Sequence, residues 1–443
     1  MDISGVLIDY LKSSTIKIIG STTQEAYQTF IYPKQEIRSL FDSIVIEEPD
    51  AETAIFMVLE KANELENLNK VVITFSAIKE VCSLSTSYIN DGSGMPGQAI
   101  RLLDDAISYS KTHGIKNITK KEIEVFVQTK TGVILAEPTD AESEKLLNLE
   151  SEIHKRIISQ DEAVSAISNA MRRVRSGMKN EKKPIASFLF LGPTGVGKTE
   201  AAKALAFSYF GNEEAMIRLD MSEFQNPDSV DRLLGKNSGS YETTILDKVM
   251  NNPFSLVLLD EFEKAYPPIL DLFLQVLDEG RLTDNFGRTV SFSNTIIIAT
   301  SNAGSEFIHE AYSDNANPMN VKEALLEKIQ QQNIYKPELL NRFDDIVVFK
   351  PLTEKDAANV SRLFLDDVIT KTAEQQIILS YAEGVPEFVA SHAYSVEFGA
   401  RNLNRFIEQS IENQLSKLIL SKKLQHGGVA KVMIEDNSLV IKV

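Results

Sequence analysis

Residues 186–199 read Ala-Ser-Phe-Leu-Phe-Leu-Gly-Pro-Thr-Gly-Val-Gly-Lys-Thr. The apolar run Phe188 to Leu191 has strand character. It breaks into Gly192-Pro193-Thr194-Gly195-Val196-Gly197-Lys198-Thr199, and a helix-forming run, Glu200 to Phe207, follows at once. This is G-x-x-x-x-G-K-T between a strand and a helix, the context that the motif requires. Glycines let the backbone turn so that successive N–H groups point inward at phosphate oxygens. The helix N-terminus adds positive partial charge. Lys198 can then reach β- and γ-phosphates, and Thr199 can place its hydroxyl on Mg²⁺. An incidental glycine-rich turn is the competing reading, and the strand and helix on either side disfavour it.

A second strand-like run, Ser255 to Leu259, is fully apolar and stops at Asp260-Glu261. Asp260 can join a Mg²⁺ shell and Glu261 can polarise an attacking water. Met216 to Asp220 is a short strand between the two motifs, and Thr295 to Thr300 is another that ends in Ser301-Asn302. Asn302 either positions a water beside a γ-phosphate or simply begins a turn. Asn341-Arg342-Phe343-Asp344 precedes a strand at Ile346 to Phe349. Arg342 is either a surface ion pair or an arginine finger offered to a neighbouring subunit, worth about 10³–10⁵ in rate. Asp161 to about Met178 forms a long helix with a basic end.

The chain has 443 residues, enough for two to four compact units. Its net charge of −17 opposes general binding to nucleic acid or to anionic membranes. The single cysteine, Cys82, cannot form an internal disulfide and reads as a small buried apolar residue. No apolar run approaches the ~20 residues of a membrane span, and no signal peptide is visible, so a cytoplasmic protein is expected.

Residues 1–48 suggest a short helix at Asp2 to Leu11 and strands at Thr15 to Gly20 and Ser43 to Ile46, too little for an independent domain. From Asp50 to Leu65 the apolar positions have helical spacing, with Asp50 as the cap. Further helices are expected over Ser76 to Tyr88, from Pro96 to about Lys111, and from Lys120 to Thr129 behind a Thr119-x-x-Glu122 capping box. Residues 49–135 thus form a small helical domain. Lys130 to Ser143 is polar, a linker is placed at 136–150, and Leu146 to Ile158 leads helically into the phosphate-loop domain, 151–350. Residues 351–443 form a small mixed domain. Its helices are expected at Thr353 to Ile369, Pro386 to Tyr394 and Phe398 to Leu420, and its strands at Ile377 to Tyr381, Ala430 to Ile434 and Leu439 to Val443. Arg401 sits at a helix start, where a cation opposes the dipole. It either faces a nucleotide phosphate or is an ordinary solvent-facing arginine.

These phrases resemble the Clp-type AAA+ ATPases, the ClpA, ClpB and ClpC unfoldases. The carriers are Gly192 to Thr199, Leu219-Asp-Met-Ser-Glu-Phe224, Leu258-Leu-Asp-Glu-Phe-Glu-Lys-Ala265, Leu274-Gln-Val-Leu-Asp278, Gly280-Arg-Leu-Thr-Asp284, Thr300-Ser-Asn302, Pro337-Glu-Leu-Leu-Asn-Arg342 and Gly399-Ala-Arg401. They cover about residue 150 to the C-terminus and match the second AAA+ module. Gly20-Ser-Thr-Thr23 and Arg101-Leu-Leu-Asp-Asp-Ala106 are similar to the sensor region and lid of the first module. Residues 1–48 then correspond to the end of a first large domain whose phosphate loop and Walker B precede Met1. The fold implied is α/β, an AAA+ P-loop parallel-sheet domain with small helical lid domains.

The resemblance implies a ring, usually a hexamer, with ATP and Mg²⁺ between subunits. Glu261 is the implied catalytic base, Asp260 and Thr199 the metal contacts, and Asn302 the first sensor. Arg342 is implied to act in trans and Arg401 to be the second sensor. Ile157 and Ile158 are implied to flank the adenine, before Ser159, where the family often has Gly. In that family the cycle pulls polypeptide through a central pore, and the resemblance implies protein substrates here. After Leu234-Gly235, however, the family's aromatic pore loop is replaced by the shorter Lys236-Asn-Ser-Gly-Ser-Tyr-Glu242. No Ile-Gly-Phe or Ile-Gly-Leu tripeptide lies between Ala303 and Lys336, which counts against a ClpP-type peptidase partner. No protease motif occurs in the sequence. An ATP-dependent assembly or regulatory module without polypeptide translocation is the alternative. Neither nucleic acid nor membrane is an expected partner.

Overall fold

The computed structural model describes residues 18–23, 26–88, 94–131, 148–175, 183–235, 244–285, 287–313 and 318–443. The chain divides into two compact units. One comprises Met1–Lys130 with Leu234–Leu246 and Thr283–Val290, and the other comprises the remaining segments.

The first unit is built on helices Ala51–Asn69, Phe75–Tyr88, Gly97–Thr112 and Lys120–Thr131. Asp50 caps the first, its side chain accepting the Thr53 N–H at 2.7 Å. Ala54, Val58, Ala62 and Leu65 form its buried stripe. The Glu122 carboxylate reaches back to the Thr119 N–H at 3.0 Å, one half of the expected capping box. Two-residue strands Val72–Ile73 and Asn117–Ile118 pair in parallel, a feature the helical reading missed. Cys82 is buried, and burial pushes its thiol up to about 11.

Two expectations fail here. Residues 43–46 make no strand, and Ile44, Val45 and Ile46 are exposed. Residues 18–20 make none either; Thr15 to Lys17 and the expected helix at 2–11 lie outside the described residues. Alternation of apolar side chains needs a partner strand to become a sheet, and neither stretch has one among the described residues.

The second unit carries a five-stranded parallel sheet. Its strands are β1 (Ala186–Leu191), β2 (Met216–Asp220), β3 (Leu256–Asp260), β4 (Ile296–Ser301) and β5 (Asp345–Val348), in spatial order β2-β3-β4-β1-β5. Every residue of β1, β3 and β4 is buried, as expected for central parallel strands covered on both faces. The register sets Asp220 beside Asp260 and Leu191 beside Ser301. The C-terminal ends of neighbouring strands therefore gather at one sheet edge, where open α/β sheets place their ligands. The approach helix is shorter than expected, Leu149–His154, with Leu146 and Leu147 outside the described residues. The helix after it spans Asp161–Arg175, and residues 176–178 are likewise outside.

After Leu352 the chain forms a domain of helices and a small sheet. The helix Glu354–Glu374 opens on a full capping box between Thr353 and Asp356. Strands β6 (Ile378–Tyr381), β7 (Val429–Glu435) and β8 (Ser438–Lys442) pair, β6 parallel to β7 and β7 antiparallel to β8. The long expected helix begins at Ala400 and passes through a π-helical turn, Glu408–Glu412, before ending at Leu420.

Gly399 ties this domain to the phosphate loop. Its neighbour Ala400 donates its N–H to Gly195 O at 2.9 Å. Gly399 adopts φ +54°, and a Cβ there would lie 2.7 Å from Gly195 O and 2.8 Å from Thr194 O. Gly399→Ala is therefore expected to cost about 1–3 kcal/mol, lowering the thermal midpoint by about 3–8 °C. Thermal denaturation followed by circular dichroism checks this; an unchanged midpoint would contradict the packing.

Candidate nucleotide site at the sheet edge

β1 ends at Leu191, whose carbonyl accepts the Phe349 N–H at 2.7 Å, and the Gly192 N–H then bonds to Ser301 O at 3.2 Å. The loop thus leaves the sheet anchored on both sides. A Cβ at Gly195 would meet Phe398 O at 2.4 Å, whereas one at Gly197, φ +104°, would meet nothing within 4 Å. One side of the loop is closed by backbone and the other opens. The helix Lys198–Phe210 begins at Gly197 with no side-chain cap. A 13-residue helix with an uncapped N-terminus presents its first-turn N–H groups to an anion. Thr199 is half-buried at its second position.

Lys198 is the centre of the arrangement. It is only 8% exposed. Its ammonium donates to Gly192 O, to Pro193 O at 3.1 Å and to the Asn302 side-chain oxygen at 2.8 Å. Burial pushes its pKa down to about 8. The carboxylates of Glu263 and Asp260 oppose that shift, while the Arg401 charge adds to it. A buried ammonium without a carboxylate in direct contact is expensive; phosphate oxygens would supply the missing charge.

The acidic residues converge from β3. Asp260 is 9% exposed. It accepts the Arg218 guanidinium at 2.7 Å and the Thr300 hydroxyl. Glu261 takes the left-handed conformation, φ 55° and ψ 47°, which costs an ordinary residue about 1–2 kcal/mol. Its N–H lies 3.3 Å from the Thr300 hydroxyl. Thr300, one residue before the expected Ser301-Asn302 strand end, therefore braces both acidic positions. Asn302 is held at its own N–H by Glu263 Oε1, 3.2 Å away.

Arg401 lies in the first turn of Ala400–Ile407, exposed, and its charge is felt at Lys198. Ile157 is buried and Ile158 half-buried. They are followed by Ser159 and Gln160 at φ 62° and 66°. A left-handed Ser159 gives a physical reason for glycine at this place in the family. Arg342 is not gathered with these residues. Its side chain is 45% exposed, and its guanidinium pairs with Asp278 at 2.9 Å. The short segment 236–242 that stands in place of the family's pore loop, Tyr241 included, lies outside the described residues.

Three contributors escaped the sequence reading. Gln160 is 2% exposed and accepts the Lys350 N–H at 2.9 Å, while its amide donates to Lys350 O at 2.9 Å and Val196 O at 3.3 Å. It joins the phosphate loop to the exit from β5. Glu263 and Arg218 are the others. The carboxylate count after β3 offered a signal for Glu263; Arg218, two places before Asp220, offered none beyond strand alternation.

Three family models match this chain: AAA lid domain over residues 50–157, AAA domain (Cdc48 subfamily) over 183–346, and the C-terminal, D2-small domain of ClpB protein over 352–432. The chain is 33% identical over 514 residues to the negative regulator of genetic competence ClpC/MecB of Bacillus subtilis, covering 100% of this chain and 63% of that protein. It is 45% identical over 314 residues to the chaperone protein ClpB of Meiothermus ruber, covering 70% of this chain and 36% of the relative. The chain thus spans less than two thirds of these relatives. A closed-state structure of Hsp104 with ATPγS and FITC-casein superimposes with a TM-score of 0.80 at 30% identity, over 99% of this chain and 76% of that one. With its phosphate loop, its β2-β3-β4-β1-β5 sheet and its C-terminal domain seated on Gly195, the chain belongs to the Clp-type AAA+ ATPase family.

Proposed function

We propose that the chain binds ATP at the Gly192 to Thr199 loop and hydrolyses it at a seam between copies in a ring, driving remodelling of protein substrates. The observation that carries this reading is the buried Lys198, held by loop carbonyls and Asn302 at an uncapped helix N-terminus. Phosphates replace the loop carbonyls as its partners. The first-turn N–H groups orient the β-phosphate, Asn302 meets the γ-phosphate, and Arg401 reports it to the C-terminal domain. Ile157 and Ile158 pack the base.

The donor set Asp260 and Thr199 suits Mg²⁺, a hard cation that prefers oxygen ligands. Asp260 already accepts a cationic partner, Arg218, which fits a carboxylate placed to hold positive charge. Mg²⁺ would there neutralise charge on the phosphate oxygens. Glu261 orients the attacking water and takes its proton. Arg342, half-exposed on its turn, stabilises the transition-state charge in a neighbouring copy, worth about 4–7 kcal/mol of barrier. We place the protein in the cytoplasm as a hexamer without peptidase activity of its own; among the described residues no helix is long and apolar enough to cross a membrane.

A second reading is an assembly module that turns over ATP without moving polypeptide. The short segment 236–242, with one tyrosine in place of the usual aromatic loop, favours it. ATP turnover by purified rings that leave a tagged substrate folded would establish the second reading; unfolding in step with turnover would establish the first.

Three outcomes are expected. Glu261→Gln retains ATP and loses at least ~100-fold in turnover; turnover at the wild-type rate would remove Glu261 from the mechanism. Arg342→Ala and Lys198→Ala subunits, each inactive alone, recover measurable ATPase when mixed, because some seams then hold an intact loop and an intact arginine; no recovery at any ratio would contradict a shared site. The third concerns pH. With Lys198 free at about 8, its folded pKa lies below the unfolded value. Its unfavourable contribution to stability is full below pH 8 and fades as pH rises towards 10.5. Bound phosphate favours the charged form, so nucleotide binding takes up a proton above pH 8. Affinity for ADP should be flat below pH 8 and fall by up to about ten-fold per unit above it. Fluorescent-nucleotide titration checks this, and a flat profile to pH 9.5 would contradict a depressed Lys198.

A further inference from the structure

Beneath the sensor residue lie two buried polar groups that the mechanism above does not use. Glu263 spends Oε1 on the Asn302 N–H, but its Oε2 is buried with no hydrogen-bond partner. Tyr335 is 1% exposed, and its hydroxyl is likewise buried and unpartnered. Ser301 lies close enough to act on that phenol without making a hydrogen bond of normal geometry, and the Glu263 charge is also felt there. A buried unpaired acceptor and a buried unpaired donor, near enough for the charge of one to act on the other, are costly, and such groups are rare without a reason.

Their surroundings supply the reason. Phe262, between Glu261 and Glu263, is fully buried and stacks on Tyr335 at 5.9 Å between ring centroids. It meets Phe343 edge-on at 6.4 Å. Tyr335 and Phe343 bracket the turn that carries Arg342. That turn is pinned to the helix Pro267–Glu279 at both ends, by Lys336 to Asp271 at 2.6 Å and Arg342 to Asp278 at 2.9 Å. One aromatic ring thus joins the strand end bearing Glu261 to the segment bearing Arg342.

We propose that Glu263 and Tyr335 are positioning residues that carry the presence of a γ-phosphate at Asn302 to the turn holding Arg342. This rests on the reading of Asn302 as a γ-phosphate contact. Glu263 is the carboxylate that acts most strongly on Lys198. When phosphate takes up the lysine charge and draws Asn302, the Glu263 carboxylate loses that compensation and accepts a hydrogen bond from Tyr335 instead. Burial and the carboxylate together hold the Tyr335 phenol well above its usual range, so the proton is always there to donate. Without a γ-phosphate the two groups stay unpaired, and the Arg342 turn stays on Asp278.

The test is Tyr335→Phe in the full chain, which removes one oxygen and keeps the ring. Affinities for ADP and for ATPγS are measured with a fluorescent nucleotide, alongside turnover at saturating ATP. The unliganded thermal midpoint should stay level or rise, because an unpaired buried hydroxyl is gone. ADP affinity should stay within two-fold. ATPγS affinity should weaken about five-fold and kcat fall about ten-fold. Asn302→Ala serves as the reference. An ATPγS-to-ADP ratio that moves with Asn302→Ala but not with Tyr335→Phe overturns the link alone. A ratio unmoved by both overturns the reading of Asn302 and the link with it. A moved ratio with kcat within two-fold of wild type overturns the connection to Arg342.

Discussion

The arrangement depends on a cation with too little negative charge around it. Lys198 is buried against loop carbonyls and an amide oxygen, at the uncapped end of a helix whose own partial charge is also positive. Such a site is poorly satisfied by protein alone. The burial that makes the lysine uncomfortable also removes competing water, so a phosphate entering there meets a cation in a low-dielectric setting, where it counts for most. The carboxylates of Asp260 and Glu263 stay near enough to temper the charge without touching it.

Around that centre the fold works as a set of braces. Thr300 steadies Asp260 and Glu261, Glu263 steadies Asn302, and Gln160 ties Val196 to Lys350. The C-terminal domain adds its own hold through Ala400 and Gly195. Each brace joins segments far apart in sequence; Gln160 and Lys350 are separated by 190 positions. The loop is therefore preorganised by the whole second unit rather than by its glycines alone.

That separation also explains what could be read beforehand. The phosphate loop, the acidic end of β3 and the amide after β4 were legible because each is a local pattern of strand, turn and polar residue. The three central strands β1, β3 and β4 were legible because full burial leaves apolar runs. Arg218 and Gln160 carry no local signature, since what they do depends on a partner that only folding brings near. The stretch at 43–46 shows the converse: Ile44, Val45 and Ile46 satisfy a strand pattern, yet they stand exposed because a strand is defined by its neighbour. Arg342 was legible as a charge at a turn, and within one copy it pairs with Asp278.

The central claim is that Lys198 lacks an anionic partner and that nucleotide supplies it. Calorimetric titration of Mg²⁺–ADP into the full chain and into Lys198→Met tests this most directly. The account predicts saturable one-to-one binding by the former and a loss of about 100-fold in affinity, about 2.8 kcal/mol, in the latter. Equal affinities would contradict it.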